Sequence, residues 1–215
     1  LITKHVISIP IQDIIGGVDM VLLTHNHIDH YEPSGPTHLP KEIPFDVQPQ
    51  DADAIRNDGF TNVIPIEEIK TIDGISIYRT TGHHGFGQIG QMMGPVSGYV
   101  LKAEGFPTVY IMGDCRWEAC IRDTVERFNP DYIVVNSGGA IFPEFSKTDG
   151  PIIPDENEVM QILDELPSHI KLIAVHMDAI DHCQTTRAIL RNEATHHEAD
   201  MSRLIIPEDG ETVVL

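Results

Sequence analysis

The chain has 215 residues, 41% of them apolar and 22% charged, which suits one domain with a substantial core. It contains no apolar run near the roughly 20 residues that span a bilayer. Its 14 basic and 33 acidic residues give a formal charge of −19, which argues against nucleic acid or an anionic membrane as partner. Three cysteines without paired spacing, and no signal-like start, fit a reducing cytoplasm.

The opening "LITKHVISIP" reads as a start part-way into a domain, so the expectation is one domain over residues 1–215 that lacks its N-terminal strands. The first strand expected is "MVLLTH" (20–25), followed at once by "NHIDHYEP" and a Pro/Gly-rich loop over 32–44. A helix is expected over "PQDADAIRNDG" (49–59). Strands follow at "GISIYRTT" (74–81), "SGYVLKAE" (97–104) and "PTVYIMGD" (107–114), and a helix at "WEACIRDTVERF" (117–128). Next come a strand "DYIVVNSG" (131–138), a second Pro/Gly-rich loop over 141–154, and a helix "PDENEVMQILDEL" (154–166). In that helix Asp155 is the N-cap, Val159, Ile162, Leu163 and Leu166 form the apolar stripe, and Pro167 is the stop. The last elements are a strand "KLIAVHMD" (171–178), a helix "HCQTTRAILRNEA" (182–194) and a strand pair within 202–215 folded about Asp209-Gly210. This alternation makes the fold mixed α/β, with helices covering sheet.

Four of the strands end in a ligand-capable side chain: His25, His83 or His84, Asp114 and His176. A single such residue is usually a turn or a satisfied hydrogen-bonding group, but four would converge at one edge of a sheet. Within "HNHIDH", His25 and His27 are two apart and point to one side of an extended segment, whereas Asp29 and His30 follow where the chain turns toward a second position. One loop would then serve two metals.

The His-x-His-x-Asp-His spacing of "THNHIDH", with His84, Asp114 and His176 in that order, resembles the metallo-β-lactamase superfamily of metal-dependent hydrolases over almost the whole chain. The segments "GHHGFGQIGQMMGPVSGYVL", "VYIMGDCRWE" and "AVHMDAIDHC" look most like the branch containing L-ascorbate-6-phosphate lactonase. The resemblance implies a four-layer αββα sandwich with metals at one edge. It implies that His25, His27 and His84 hold one metal, that Asp29, His30 and His176 hold the other, and that Asp114 bridges them. His83 competes with His84 for the third motif. The family's N-terminal strand pair with a "LIDP"-like turn is not seen before residue 11.

Imidazoles and carboxylates without thiolates suit Zn²⁺ first, then Mn²⁺ or Fe²⁺. A bound zinc ion lowers the pKa of its water from ~15.7 to ~7, so hydrolysis of a small-molecule lactone, ester or related bond is the expected reaction. Asp29 or Asp114 would orient the nucleophile and take up a proton, and His182 would contact the substrate, support a ligand, or merely begin a helix. The alternatives are a phosphodiesterase or nuclease-like relative, and a non-hydrolytic di-iron relative. "NSGGA" (136–140) either lines the pocket or is a simple turn, and Arg187 either meets an anionic group or is solvated. Cys115 should face the core, and His5, His38, His169, His196 and His197 the surface. A homo-oligomer is left open.

Overall fold

The computed structural model describes residues 9–31, 38–144 and 148–215. Two sheets lie between helices. A short helix α1 (Ile11–Ile15) precedes β1 (Val21–Leu23), which pairs in parallel with β2 (Phe45–Val47) and, beyond it, β3 (Val63–Pro65). Between β2 and β3, a 3₁₀ turn at Pro49–Asp51 leads into α2 (Ala52–Asn57). Ala52 and Ile55 of α2 pack on Leu23, Phe45, Val47 and Phe60, so this helix covers the outer face of the small sheet.

The seven-stranded sheet runs β10-β9-β8-β7-β6-β5-β4. Its antiparallel half comprises β4 (Ile69–Ile72), the nine-residue β5 (Ile75–His83), β6 (Pro95–Lys102) and β7 (Val109–Ile111), with α3 (Gly87–Met93) inserted between β5 and β6. Its parallel half continues through β8 (Tyr132–Asn136), β9 (Lys171–Val175) and β10 (Leu204–Ile205). The helices α4 (Ala119–Phe128), α5 (Glu156–Glu165) and α6 (Arg187–His196) connect these strands. Parallel neighbours require such crossovers, and the crossover helices cover one face of the sheet.

Alternation along the strands divides the core. Val96, Val100, Tyr110, Ile133 and Leu172 face Ile121, Val159, Ile162 and Leu190 of the three crossover helices. Ile77 and Tyr99, on the opposite face, meet Ile66 and Leu22 from the small-sheet side. The order is therefore helix, small sheet, large sheet, helices, as the sandwich expectation required. Each fully buried side chain of this kind contributes about 1.5–3 kcal/mol.

Asp155 caps α5 as expected, its carboxylate accepting the Glu158 N–H at 2.9 Å, and the helix ends at Leu166 before Pro167. Three expectations need correction. The C-terminal strand pair does not form: only Leu204–Ile205 is a strand, and it pairs in parallel with β9. Arginines of α6 take the tail instead. Arg187 donates to the Pro207 carbonyl at 2.8 Å and pairs with Asp209, and Arg191 donates to Ile206 at 3.0 Å. Arg187 is thus neither solvated nor turned to a substrate. Helix α6 starts at Arg187 with Thr186 as its cap, so His182 lies before the helix rather than in it. The strands β2, β3 and β4, and the helices α1 and α3, are additional to the elements read from the sequence.

Candidate metal centre

Four of the expected ligands stand just past the end of an apolar strand, and His27, Asp29 and His30 lie on the loop that follows β1. His25 follows β1, His84 follows β5, and Asp114 lies three residues past β7. His176 comes directly after β9 with φ of 64°, a left-handed conformation that is strained for a non-glycine residue and turns its ring back over the sheet edge. Gly113, at φ 68°, makes the equivalent turn before Asp114; a Cβ there would sit 2.6 Å from the Ser97 carbonyl oxygen.

These residues gather into two groups. His25, His27 and His84 form one, and Asp29, His30, Asp114 and His176 the other, with ligand atoms within 4.8 Å of one another in each group. The Nε2 of His27 lies 3.0 Å from the Met93 carbonyl oxygen, and the Nδ1 of His84 lies 3.1 Å from that of Ile152. A carbonyl only accepts, so those nitrogens carry the protons, and His27 Nδ1 and His84 Nε2 present lone pairs. His25 Nδ1 meets the Thr24 hydroxyl at 3.2 Å, which leaves Nε2 facing inward, 3.0 Å from His27 Nδ1. Burial, opposed by Asp114 and aided by the neighbouring histidines, pushes His25 down to about 3, so it is neutral at pH 7. Converging neutral lone pairs repel unless a cation lies among them, and this donor set fits a divalent metal.

Asp114 Oδ2 lies between the groups, 3.1 Å from His84 Nε2, 3.7 Å from His25 Nε2 and 3.2 Å from His30 Nε2. Its Oδ1 accepts the Asn136 amide N–H at 2.5 Å. Burial pushes the Asp114 carboxyl up, but His30 and His84, when protonated toward it in the absence of an ion, hold it well below the usual range. In the second group, His176 Nε2 lies 3.3 Å from Asp29 Oδ2 and 3.2 Å from His30 Nε2. Burial lowers His176, yet the hydrogen bond to Asp29 and the Cys183 thiol 3.8 Å from its Nδ1 raise it to about 11. Burial raises Asp29, but His176 and His30 outweigh it and bring the carboxyl to about 2. Without an ion, His176 and Asp29 thus stabilise each other as an imidazolium–carboxylate pair.

His83 is not part of the cluster. Its side chain is 70% exposed and its Nδ1 lies 2.8 Å from Glu118. His182 lines the cavity beside the cluster and stacks on Phe142, ring centroids 5.4 Å apart. Cys115 is buried in the helix-side core, and His38, His169, His196 and His197 are exposed; His5 lies outside the described residues. Of "NSGGA", Asn136 holds Asp114 and Ala140 lines the cavity. Gly138 lets the chain pass close to His176, whose carbonyl oxygen lies 2.5 Å from where a Cβ would stand. Asn136 carried the same signal as the candidate ligands, a polar residue at a strand end.

The sequence model of the family described as "Beta-lactamase superfamily domain" matches residues 7–177. The chain is 34% identical over 211 residues to UPF0173 protein YddR of Bacillus subtilis (strain 168), covering 96% of this chain and 80% of that protein. Among solved structures, it is similar to a possible metal-dependent hydrolase from Veillonella parvula DSM 2008, with a TM-score of 0.90 and 31% identity over 97% of this chain and 80% of that one. It is also similar to isothiocyanate hydrolase from Delia radicum gut bacteria, with a TM-score of 0.88 and 33% identity over 96% of this chain and 81% of that one.

Proposed function

We propose, starting from a chain that belongs to the beta-lactamase superfamily and is a metal-dependent hydrolase, that it holds two divalent ions and hydrolyses a small, uncharged, largely apolar substrate. The observation behind this reading is the cavity. It encloses about 220 Å³ and its floor includes His27, Asp29, His84, Asp114 and His176. Its walls are Ile28, Met93, Ala140, Phe142, Ile152 and Ile153, and no lysine or arginine lines it among the described residues. Drug-sized ligand pockets hold roughly 300–1,000 Å³, so the substrate is small. Beyond the bound ions themselves, a phosphate group here would find no lysine or arginine to replace its hydration among the described residues. That disfavours phosphodiesters and the phosphorylated lactone of the branch the sequence resembles. Neutral lactones, esters and isothiocyanates remain, and the last are named for one of the structural relatives.

Bound ions would supply water activation near neutral pH and polarisation of the electrophile, and the donor set suits Zn²⁺ first, then Mn²⁺ or Fe²⁺. The chain does the positioning. Asn136 fixes one oxygen of Asp114, so that carboxylate offers Oδ2 alone to the space between the two groups. Asp29, its side chain 19% exposed, is the carboxylate placed to orient the nucleophile and receive a proton. His182, held flat against Phe142 on the wall, is placed to return a proton to the leaving atom. The apolar walls would exclude water from around a bound substrate, which strengthens the electrostatic interactions there.

The test is elemental analysis of protein purified without chelator or metal column, followed by a hydrolysis panel. About two equivalents of metal are expected, with kcat/KM for neutral γ-lactones, aryl esters or isothiocyanates at least about 100-fold above that for phosphorylated analogues. A preference for phosphorylated substrates would overturn the substrate assignment. Protein that takes up no metal when offered Zn²⁺ or Mn²⁺ would overturn the metal assignment.

A further inference from the structure

The two ends of the three-histidine group are held in different ways. At the His25 end the chain is tied to strand β6: the Tyr99 hydroxyl donates to the Leu23 carbonyl at 2.9 Å, and the Ser97 N–H donates to the Thr24 carbonyl at 3.2 Å. Gln48 braces the same strand, accepting from the Ser97 hydroxyl at 2.9 Å and donating to the Pro95 carbonyl at 3.0 Å. The His84 end has no strand behind it. Its Nδ1 proton goes to the carbonyl of Ile152 at 3.1 Å, in a segment over 150–155 that forms neither strand nor helix. That carbonyl's direction must be fixed by side chains.

Arg116 grips this segment from behind the cavity wall. Its Nη1 donates to the Pro151 carbonyl, while the other edge of the same peptide unit, the Ile152 N–H, donates to the Ala140 carbonyl at 2.8 Å. The next carbonyl along the chain is the one that His84 uses. The guanidinium is itself fixed: Nε donates to Glu158 Oε2 at 2.6 Å, and Glu158 Oε1 accepts the Trp117 N–H at 2.6 Å. The two side chains are only 14% and 9% exposed, so water competes little for these bonds. The guanidinium also lies over the Phe86 ring, 5.1 Å from its centroid, and the Arg116 N–H donates to the His83 carbonyl at 3.0 Å. One residue thus holds both the segment that carries His84 and the segment that orients its ring. We propose that Arg116 is a positioning residue for the three-histidine group: by fixing the 151–152 peptide it aims the Ile152 carbonyl at His84 Nδ1, which keeps the proton there and leaves Nε2 for an ion. This rests on the reading of that group as a metal site.

The experiment compares wild type with the double variant Arg116→Leu/Glu158→Gln, which strands no buried charge, with Arg116→Lys, and with Val159→Ala, which trims a buried side chain of the same helix as Glu158. Zn²⁺ is titrated into chelator-stripped protein, and exchange of the His84 Nδ1 proton with water is followed by NMR in the zinc-loaded form. The double variant should speed that exchange and weaken Zn²⁺ binding about 10–100-fold. Arg116→Lys keeps a charge for Glu158 but not the guanidinium's fork, and should show a smaller loss in both readouts. Val159→Ala should lower Tm while leaving both near wild type. Unchanged exchange and affinity in the two Arg116 variants, or equal losses in Val159→Ala, would overturn the positioning role and leave the metal reading standing. Wild type that binds no Zn²⁺ would overturn the metal reading itself, and the positioning role with it.

Discussion

His84 turns inward past the end of β5 while its neighbour His83 turns outward to Glu118, because consecutive side chains of an extended segment project to opposite faces. His84 is 3% exposed and its Nε2 lies 3.1 Å from Asp114. His84→Ala should therefore lose about one equivalent of metal and most hydrolysis, whereas His83→Ala should keep both, as elemental analysis and turnover would show. Metal lost equally from the two variants would refute this assignment. The spacing of "HNHIDH" and the strand-end rule were enough to nominate every residue of the two groups, but sequence alone left the choice between His83 and His84 open. Gln48 gave no such signal. It sits just before helix-starting residues, and its bonds to Ser97 and Pro95 exist only once two distant segments are packed together.

At the scale of elements, the long strands and the crossover helices were legible because period and length agree, as in α5 with its Asp155 cap. The three-residue strands β1, β2 and β3 are too short to show alternation, and only β1 was anticipated, through its apolar run. The tail shows the opposite failure. Its Asp209-Gly210 turn is real, but the flanking carbonyls of Ile206 and Pro207 are taken by arginines of α6, so no hairpin ladder can form. Helix α5 also carries a pH-dependent contact. Glu165 accepts hydrogen bonds from Arg122, Gln161 and Trp117, which bring it from 4.5 down to about 2. A carboxyl depressed in the folded state stabilises above its unfolded pKa, and that stability is lost as pH falls through the folded value. The side chain is 37% exposed, so solvent screening limits the effect to about 1 kcal/mol or less. Glu165→Gln should be slightly less stable than wild type in urea at pH 7, and the gap should narrow from pH 4.5 toward pH 3. A gap independent of pH would mean that the carboxylate's charge is not its source.

For the whole molecule, the layer order followed from the alternation of strands and helices, whereas the polar contacts between the sheets did not. Lys70 on the edge strand β4 reaches both oxygens of Asp46 on β2, each at 2.7 Å, and Asp46 is 0% exposed. Their separation in sequence gives no hint of the pairing. Removing one partner strands a buried charge, so Lys70→Met should destabilise by about 3–5 kcal/mol, and the double variant Asp46→Leu/Lys70→Met should recover most of it. Urea midpoints decide between this and a negligible loss, which would show that the pair is solvated in solution.

The ligands come from four strand ends spread from His25 to His176, and the last lies beyond two parallel pairings, β7 with β8 and β8 with β9. Non-local pairings of this kind form late, after long loops have closed. A chain emerging from the ribosome can thus present its three-histidine group long before the second group is complete. On the proposed two-metal reading, metal capture at the second group would be a late event in the life of the nascent chain, and an ion held there would act as a ligand of the folded state, drawing the equilibrium toward it by mass action.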